Sequence, residues 1–232
     1  MKHVLLLHGA LGCGKDLASL ANELRETETL LHTFTFPGHG NTPFPQDFSI
    51  PALAGATAQF LTDQGINQCH VFGYSMGAYV ALYLSLQHPD KIRSICSYGT
   101  KFNWEEEQVK KETTLLNPAK MKEKIPGFVS QLKEKHGEHW EALVERTADL
   151  MRDIGKHDYL SSKRLQSILI PVQLGHGSKD HMVTWQETEQ TASNLMNGSA
   201  YSFENGKHDL SSVNPEILSK RILNLIQTAE HT

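Results

Sequence analysis

The stretch Cys69-His70-Val71-Phe72-Gly73-Tyr74-Ser75-Met76-Gly77, running on into Ala78-Tyr79-Val80-Ala81-Leu82-Tyr83-Leu84-Ser85-Leu86, reads as a short buried strand, a sharp turn and a helix. Ser75 sits at the turn, inside a G-x-S-x-G pentapeptide. A serine there projects its hydroxyl clear of a sheet while the helix start supplies unpaired N–H donors. Glycines on both sides are what a tight elbow needs, because Cβ atoms at Gly73 or Gly77 would crowd the strand against the helix.

Working outward, short β-rich runs alternate with amphipathic helical stretches, the pattern of a mostly parallel α/β sheet of about six strands with helices on both faces. Strands are expected at Lys2 to Leu7, Leu30 to Phe36, Cys69 to Phe72, Ile92 to Tyr98, Ile170 to Gly175 and Ser199 to Phe203. Helices are expected at Asp16 to Leu24, Ile50 to Asp63, Ala78 to Gln87 and Thr184 to Met196, with a last one at Pro215 to Thr228 whose N-cap is Asn214. Between Lys101 and Leu165 the alternation stops. That segment is helical in pattern and holds more than half of the chain's charged residues, so most of its surface is expected to be wet. Phe102, Trp104, Phe128 and Trp140 within it must still pack on something. The expected organisation is a core of residues 1–100 and 166–232 with a helical lid insertion over 101–165 above a cleft.

With 232 residues and 26.0 kDa the chain can bury a sizeable core. A formal charge of -4 leaves no broad basic footprint for nucleic acid or anionic lipid. No apolar run approaches the roughly 20 residues of a membrane span, and no targeting segment is visible, so the expectation is a soluble cytoplasmic protein. Cys13, Cys69 and Cys96 include no C-x-x-C pair and read as reduced, mostly buried thiols.

A serine hydroxyl needs a base within hydrogen-bond reach, itself oriented by a carboxylate. The strand ending near Gly175 runs into Gly175-His176-Gly177-Ser178-Lys179-Asp180, and the last strand runs into Glu204-Asn205-Gly206-Lys207-His208. Open parallel sheets collect ligands beyond the carboxyl ends of their strands, so Ser75, Asp180 and His208 converge on one edge. His8, His39 and His176 read as loop-shaping residues. Asp209 is the rival carboxylate, but its adjacency to His208 in sequence places it poorly to orient the imidazole.

At this point the chain resembles the α/β-hydrolase superfamily over nearly its whole length. The resemblance rests on His8-Gly9 after the first strand, Pro37-Gly38-His39-Gly40 after the second, the elbow at Ser75, Gly177-x-x-Asp180 and Gly206-x-His208. It implies the α/β-hydrolase fold with the first two strands of many relatives lacking, and a Ser75-His208-Asp180 triad. It also implies an oxyanion hole from the backbone N–H groups of Ala10 and Met76. Within the superfamily the chain is most similar to compact esterases and thioesterases. The menaquinone-pathway synthases carry an arginine shortly after the elbow where this chain has Ala78-Tyr79-Val80.

The expected reaction is acyl transfer from a small-molecule ester or thioester to water, with no metal and no organic cofactor. The acyl group is expected against Leu11, Tyr74 and Val183, with Phe102 and Trp104 closing the cleft. A non-catalytic alternative is a hydrolase-like receptor that binds a small ligand under the lid. A third reading comes from Gly9-Ala10-Leu11-Gly12-Cys13-Gly14-Lys15, which spells a phosphate-binding P-loop. Asp16 then stands where that loop needs a Ser or Thr hydroxyl for magnesium, and a carboxylate repels phosphate.

Overall fold

The computed structural model describes residues 2–25 and 27–231. Six parallel strands, β1 (Lys2–Leu7), β2 (Thr29–Phe34), β3 (Cys69–Tyr74), β4 (Ile92–Tyr98), β5 (Val172–Gly177) and β6 (Gly198–Phe203), form one sheet in the order β2-β1-β3-β4-β5-β6. The helices of the core are α1 (Ala18–Arg25), α2 (Ile50–Asp63) and α3 (Met76–Gln87). Five more follow β4: α4 (Glu106–Leu115), α5 (Pro118–Lys124), α6 (Pro126–His136), α7 (Trp140–His157) and α8 (Ser162–Gln166). Helices α9 (Trp185–Ser193) and α10 (Pro215–Glu230) complete the chain.

The period of two along β1 builds both layers at once. Leu5 and Leu7 join the core that holds α2 and α3, whereas Val4 and Leu6 join the core under α1 and α10. All four are fully buried, each worth about 1.5–3 kcal/mol in transfer free energy. A third, smaller core of Met121, Val129, Leu132, Trp140, Leu143 and Val144 packs the helices after β4 against Leu11. Trp140 therefore packs among the helices between β4 and β5.

Local chemistry sets the ends of the elements. Ser49 Oγ accepts the Ala52 N–H at the start of α2, and Asn214 Oδ1 accepts those of Glu216 and Ile217 before α10. Thr184 and Glu187 form a capping box on α9. Five expected boundaries move for identifiable reasons. β5 starts at Val172 instead of Ile170 because Pro171 has no N–H for the ladder, and it continues through Gly177 paired with Phe203. β2 ends at Phe34 instead of Phe36 because the Phe36 N–H turns to His8 Nε2, 3.1 Å away. β3 runs on to Tyr74, which pairs with Tyr98. Residues 14–17 form a 3-10 turn before α1, so that helix begins at Ala18 and not at Asp16. None of the helices described is long and apolar enough to cross a membrane.

Candidate active site

Ser75, Asp180 and His208 follow the carboxyl ends of β3, β5 and β6, and the parallel sheet brings those ends to one edge. Ser75 has φ 51° and ψ −116°, a left-handed conformation that costs a non-glycine residue on the order of 1–3 kcal/mol. Its surroundings hold it there. The Ser75 N–H donates to the Tyr98 carbonyl at 2.8 Å, and Thr100 Oγ1 donates to the Ser75 carbonyl at 3.3 Å. Close packing of the elbow requires its glycines, because a Cβ on Gly73 would lie 2.3 Å from Ala78 Cα and one on Gly77 would lie 2.4 Å from the Leu7 carbonyl oxygen.

Ser75 Oγ lies 3.4 Å from His208 Nε2, and His208 Nδ1 lies 2.9 Å from Asp180 Oδ2. With the Nδ1–H donated to the carboxylate, the Nε2 lone pair faces the serine hydroxyl. The Asp180 side chain is fully buried. Burial by itself would raise its pKa, but the hydrogen bond and charge of His208 and the amides of Val183 and Met182 on Oδ1 outweigh it and hold the carboxyl below its usual range. Asp209 is committed elsewhere, since its carboxylate accepts from the Ser211 N–H and hydroxyl.

The acid and histidine loops meet because both carry glycine at their crossing. A Cβ on Gly177 would lie 2.5 Å from the Gly206 carbonyl oxygen, and Lys179 N–H donates to that same oxygen at 2.8 Å. Tyr74 Oη donates to the His208 carbonyl at 3.0 Å, and Tyr98 Oη donates to that of Lys207. Gly99, at φ +67°, passes the His208 ring, and it is this backbone conformation that favours glycine there.

The loop after β1 completes the edge. His8 Nε2 accepts from the Phe36 N–H, so its Nδ1–H donates to the Gly9 carbonyl at 2.7 Å. Burial pushes the His8 pKa down to about 4, the Gly9 hydrogen bond and the charge of Asp16 opposing it only in part. From α6, His136 Nδ1 accepts from Gly40 N–H and its Nε2–H donates to the Leu11 carbonyl. The Ala10 N–H makes no hydrogen bond to another described residue, and Met76 is the first residue of α3, where helix N–H groups lack intrahelical partners.

A cleft of about 820 Å³ opens onto Ser75 and His208. Ala10, Leu11, Tyr74, Met76 and Trp104 line it, together with residues of α4, α6 and α7. Phe102 and Val183 are not in its lining, which departs from the expectation for both. The Phe102 ring stacks towards Tyr79 at a centroid distance of 6.3 Å, and Val183 is buried beneath the acid loop where its amide serves Asp180. Glu187 Oε1 accepts the amides of Phe102 and Asn103, fastening the segment after β4 to α9. Lys101, Glu112 and Thr147 also line the cleft, and no sequence motif marks them.

The P-loop-like stretch has another use. Asp16 Oδ2 accepts from the Cys13 N–H, and Asp16 Oδ1 pairs with Lys135 of α6 at 2.7 Å. No group of three or more His, Cys, Asp or Glu able to hold a metal is found among the described residues.

Residues 2–133 match the family model described as alpha/beta hydrolase fold. Over 60 residues, 26% of this chain, the sequence is 47% identical to a pimeloyl-[acyl-carrier protein] methyl ester esterase of Neisseria meningitidis. The matched segment spans about a fifth of that relative's own length, 22%. Among solved structures, NosK from Streptomyces actuosus superposes with a TM-score of 0.83 at 17% identity, covering 99% of both chains. A thermophilic esterase from Thermogutta terrifontis gives 0.79 at 17% identity, covering 99% of this chain and 90% of that one. At such identities the structural likeness concerns the fold alone. The family model, spanning more than half of the chain, makes this protein a member of the alpha/beta hydrolase fold family.

Proposed function

We propose that the protein is a serine hydrolase that cleaves a small carboxylic ester or thioester through an acyl-enzyme. The observation that carries this reading is the unbroken chain from Ser75 Oγ through His208 to the buried Asp180, opening on an 820 Å³ cleft. Ser75 Oγ attacks the carbonyl carbon as His208 Nε2 takes its proton. Asp180 keeps the imidazole in the tautomer that accepts at Nε2 and stabilises the imidazolium that forms. The Ala10 and Met76 amides hold the negative oxygen of the tetrahedral intermediate, each worth about 2.7–4 kcal/mol of barrier where such donors have been removed. The leaving alcohol or thiol departs with the proton from His208, and a water repeats the sequence on the acyl-Ser75.

The relative named as a pimeloyl-[acyl-carrier protein] methyl ester esterase favours an oxygen ester with a small alcohol as the first substrate class to test. In this reading residues 101–165 act as the lid that selects the acyl group, and residues 1–100 and 166–232 carry the chemistry. Treatment with a fluorophosphonate followed by mass spectrometry tests the assignment. Adduct on Ser75 is expected, abolished in His208→Ala. Adduct on another serine, or none in folded protein, overturns it.

A further inference from the structure

The cleft beside Ser75 has walls of two kinds. Leu11, Leu116, Leu150 and Ile154 supply an apolar surface, yet Glu112 of α4 and Thr147 of α7 stand in the same lining at 5% and 1% exposure. Neither Glu112 Oε1 nor Thr147 Oγ1 has a hydrogen-bond partner among the described residues. Lys101 Nζ and Lys111 Nζ lie 3.9 and 4.0 Å from Glu112 Oε1, within ion-pair range but beyond a hydrogen bond. Lys101 Nζ already donates to the Met182 carbonyl at 2.9 Å and to Gln108 Oε1 at 3.4 Å.

Two features make this pairing of orphans informative. Buried polar groups in native proteins are almost always satisfied, because leaving one unpaired keeps its desolvation cost uncompensated. Threonines inside helices have an easy remedy, a bond to the carbonyl four residues back, and Thr57, Thr62, Thr188 and Thr191 of this protein all use it. Thr147 does not. Two such groups come from different helices whose residues line one ligand-sized cavity.

We propose that Glu112 and Thr147 form a polar subsite for a neutral hydrogen-bond donor, a hydroxyl or carboxamide, that the substrate carries away from its scissile ester. The proposal rests on the hydrolase reading above. The donor's hydrogen goes to a Glu112 oxygen, and the Thr147 hydroxyl exchanges a second hydrogen bond with the same group. A terminal methyl would leave both protein atoms unpaired. A terminal carboxylate would meet Glu112, while the nearest ammonium, that of Lys101, is already engaged.

The test compares methyl esters of graded acyl length that end in a hydroxyl, a methyl or a carboxylate. A purely apolar pocket favours the methyl-terminated chain, whereas a site that bonds a substrate hydroxyl rejects the analogue that lacks it. The expected result is a preference of about 10-fold or more in kcat/KM for the hydroxyl-terminated ester, falling to about unity or reversing in Glu112→Leu and in the near-isosteric Thr147→Val. Thr147→Ser is expected to keep it. Each ratio is read within one preparation, so differences in folded fraction cancel. Calorimetry of the same esters on Ser75→Ala reads the preference as binding, independently of turnover. A preference for the methyl or carboxylate ending in wild type, or a hydroxyl preference untouched by both variants, overturns the subsite. Absence of fluorophosphonate labelling at Ser75 in wild type would instead overturn the hydrolase reading, and the calorimetric ratio would still decide the subsite.

Discussion

Acidification should destabilise this protein through His8 by an amount that the structure sets. The imidazole is fully buried, accepts the Phe36 N–H at Nε2 and has its pKa pushed from 6.5 down to about 4. The unfolded chain takes up a proton at the ordinary value while the folded one resists it, so proton uptake favours unfolding between those two values. Stability is therefore whole above about pH 6.5, declines as pH falls, and stops declining through this group below about pH 4. The loss from His8 integrates to about 2 kcal/mol at about pH 5 and about 3 kcal/mol at about pH 4. His39 and His136 are shifted in the same direction by burial, so the whole protein should lose more than His8 alone accounts for. The clean measurement is a difference. Urea unfolding of wild type and His8→Gln, followed by tryptophan fluorescence, should give a stability gap that shrinks by about 2 kcal/mol between about pH 7 and about pH 5, because the variant has no proton to take up at that position. A gap that stays constant or widens over that range would show that the folded state accommodates the imidazolium, and the account of the loop after β1 would fail.

Within the catalytic reading, Ser75→Ala and His208→Ala should each lower kcat by about 10⁴-fold or more, and Asp180→Asn by on the order of 10³ to 10⁴-fold, with losses that do not add in combination. Asp209→Asn should leave the rate near wild type, and the reverse pattern would exchange the two carboxylates. Gly73→Ala places its Cβ 2.3 Å from Ala78 Cα and should cost about 1–3 kcal/mol or more, read as a lowered urea midpoint. Trp104→Ala removes an indole from the cleft wall and should shift acyl-length preference in kcat/KM while fluorophosphonate still reaches Ser75. Calorimetry with magnesium ATP should give no binding, since Asp16 is engaged with Cys13 and Lys135 where a P-loop would need a hydroxyl; micromolar affinity lost in Lys15→Ala would refute that.

Much of the architecture is written in short windows of the chain. Strand β1, helix α2 and strand β4 start and end where their patterns predict, because alternation, a Ser49 cap followed by Pro51, and flanking turns are all local signals. The glycines at 73 and 77 were legible for the same reason, each being required where strand and helix pass closely. Boundaries moved where a backbone group found a partner remote in sequence, as the Phe36 N–H does on His8. Phe102 and Val183 were drawn toward the cleft by their position beside motifs, yet packing on Tyr79 and service to Asp180 take them elsewhere.

The order of elements, the parallel sheet and the three residues Ser75, Asp180 and His208 could be read from the chain because strand ends of a parallel sheet share one edge whatever the loops do. Folding in three dimensions was needed to learn that Glu187 ties Phe102 and Asn103 to α9, that His136 reaches from α6 to the Leu11 carbonyl, and that Glu112 and Thr147 both line the cleft. Those relations join helices separated by tens of residues. Their facing is set by which rows of side chains interlock, a property of the packed helices and of no single window of sequence.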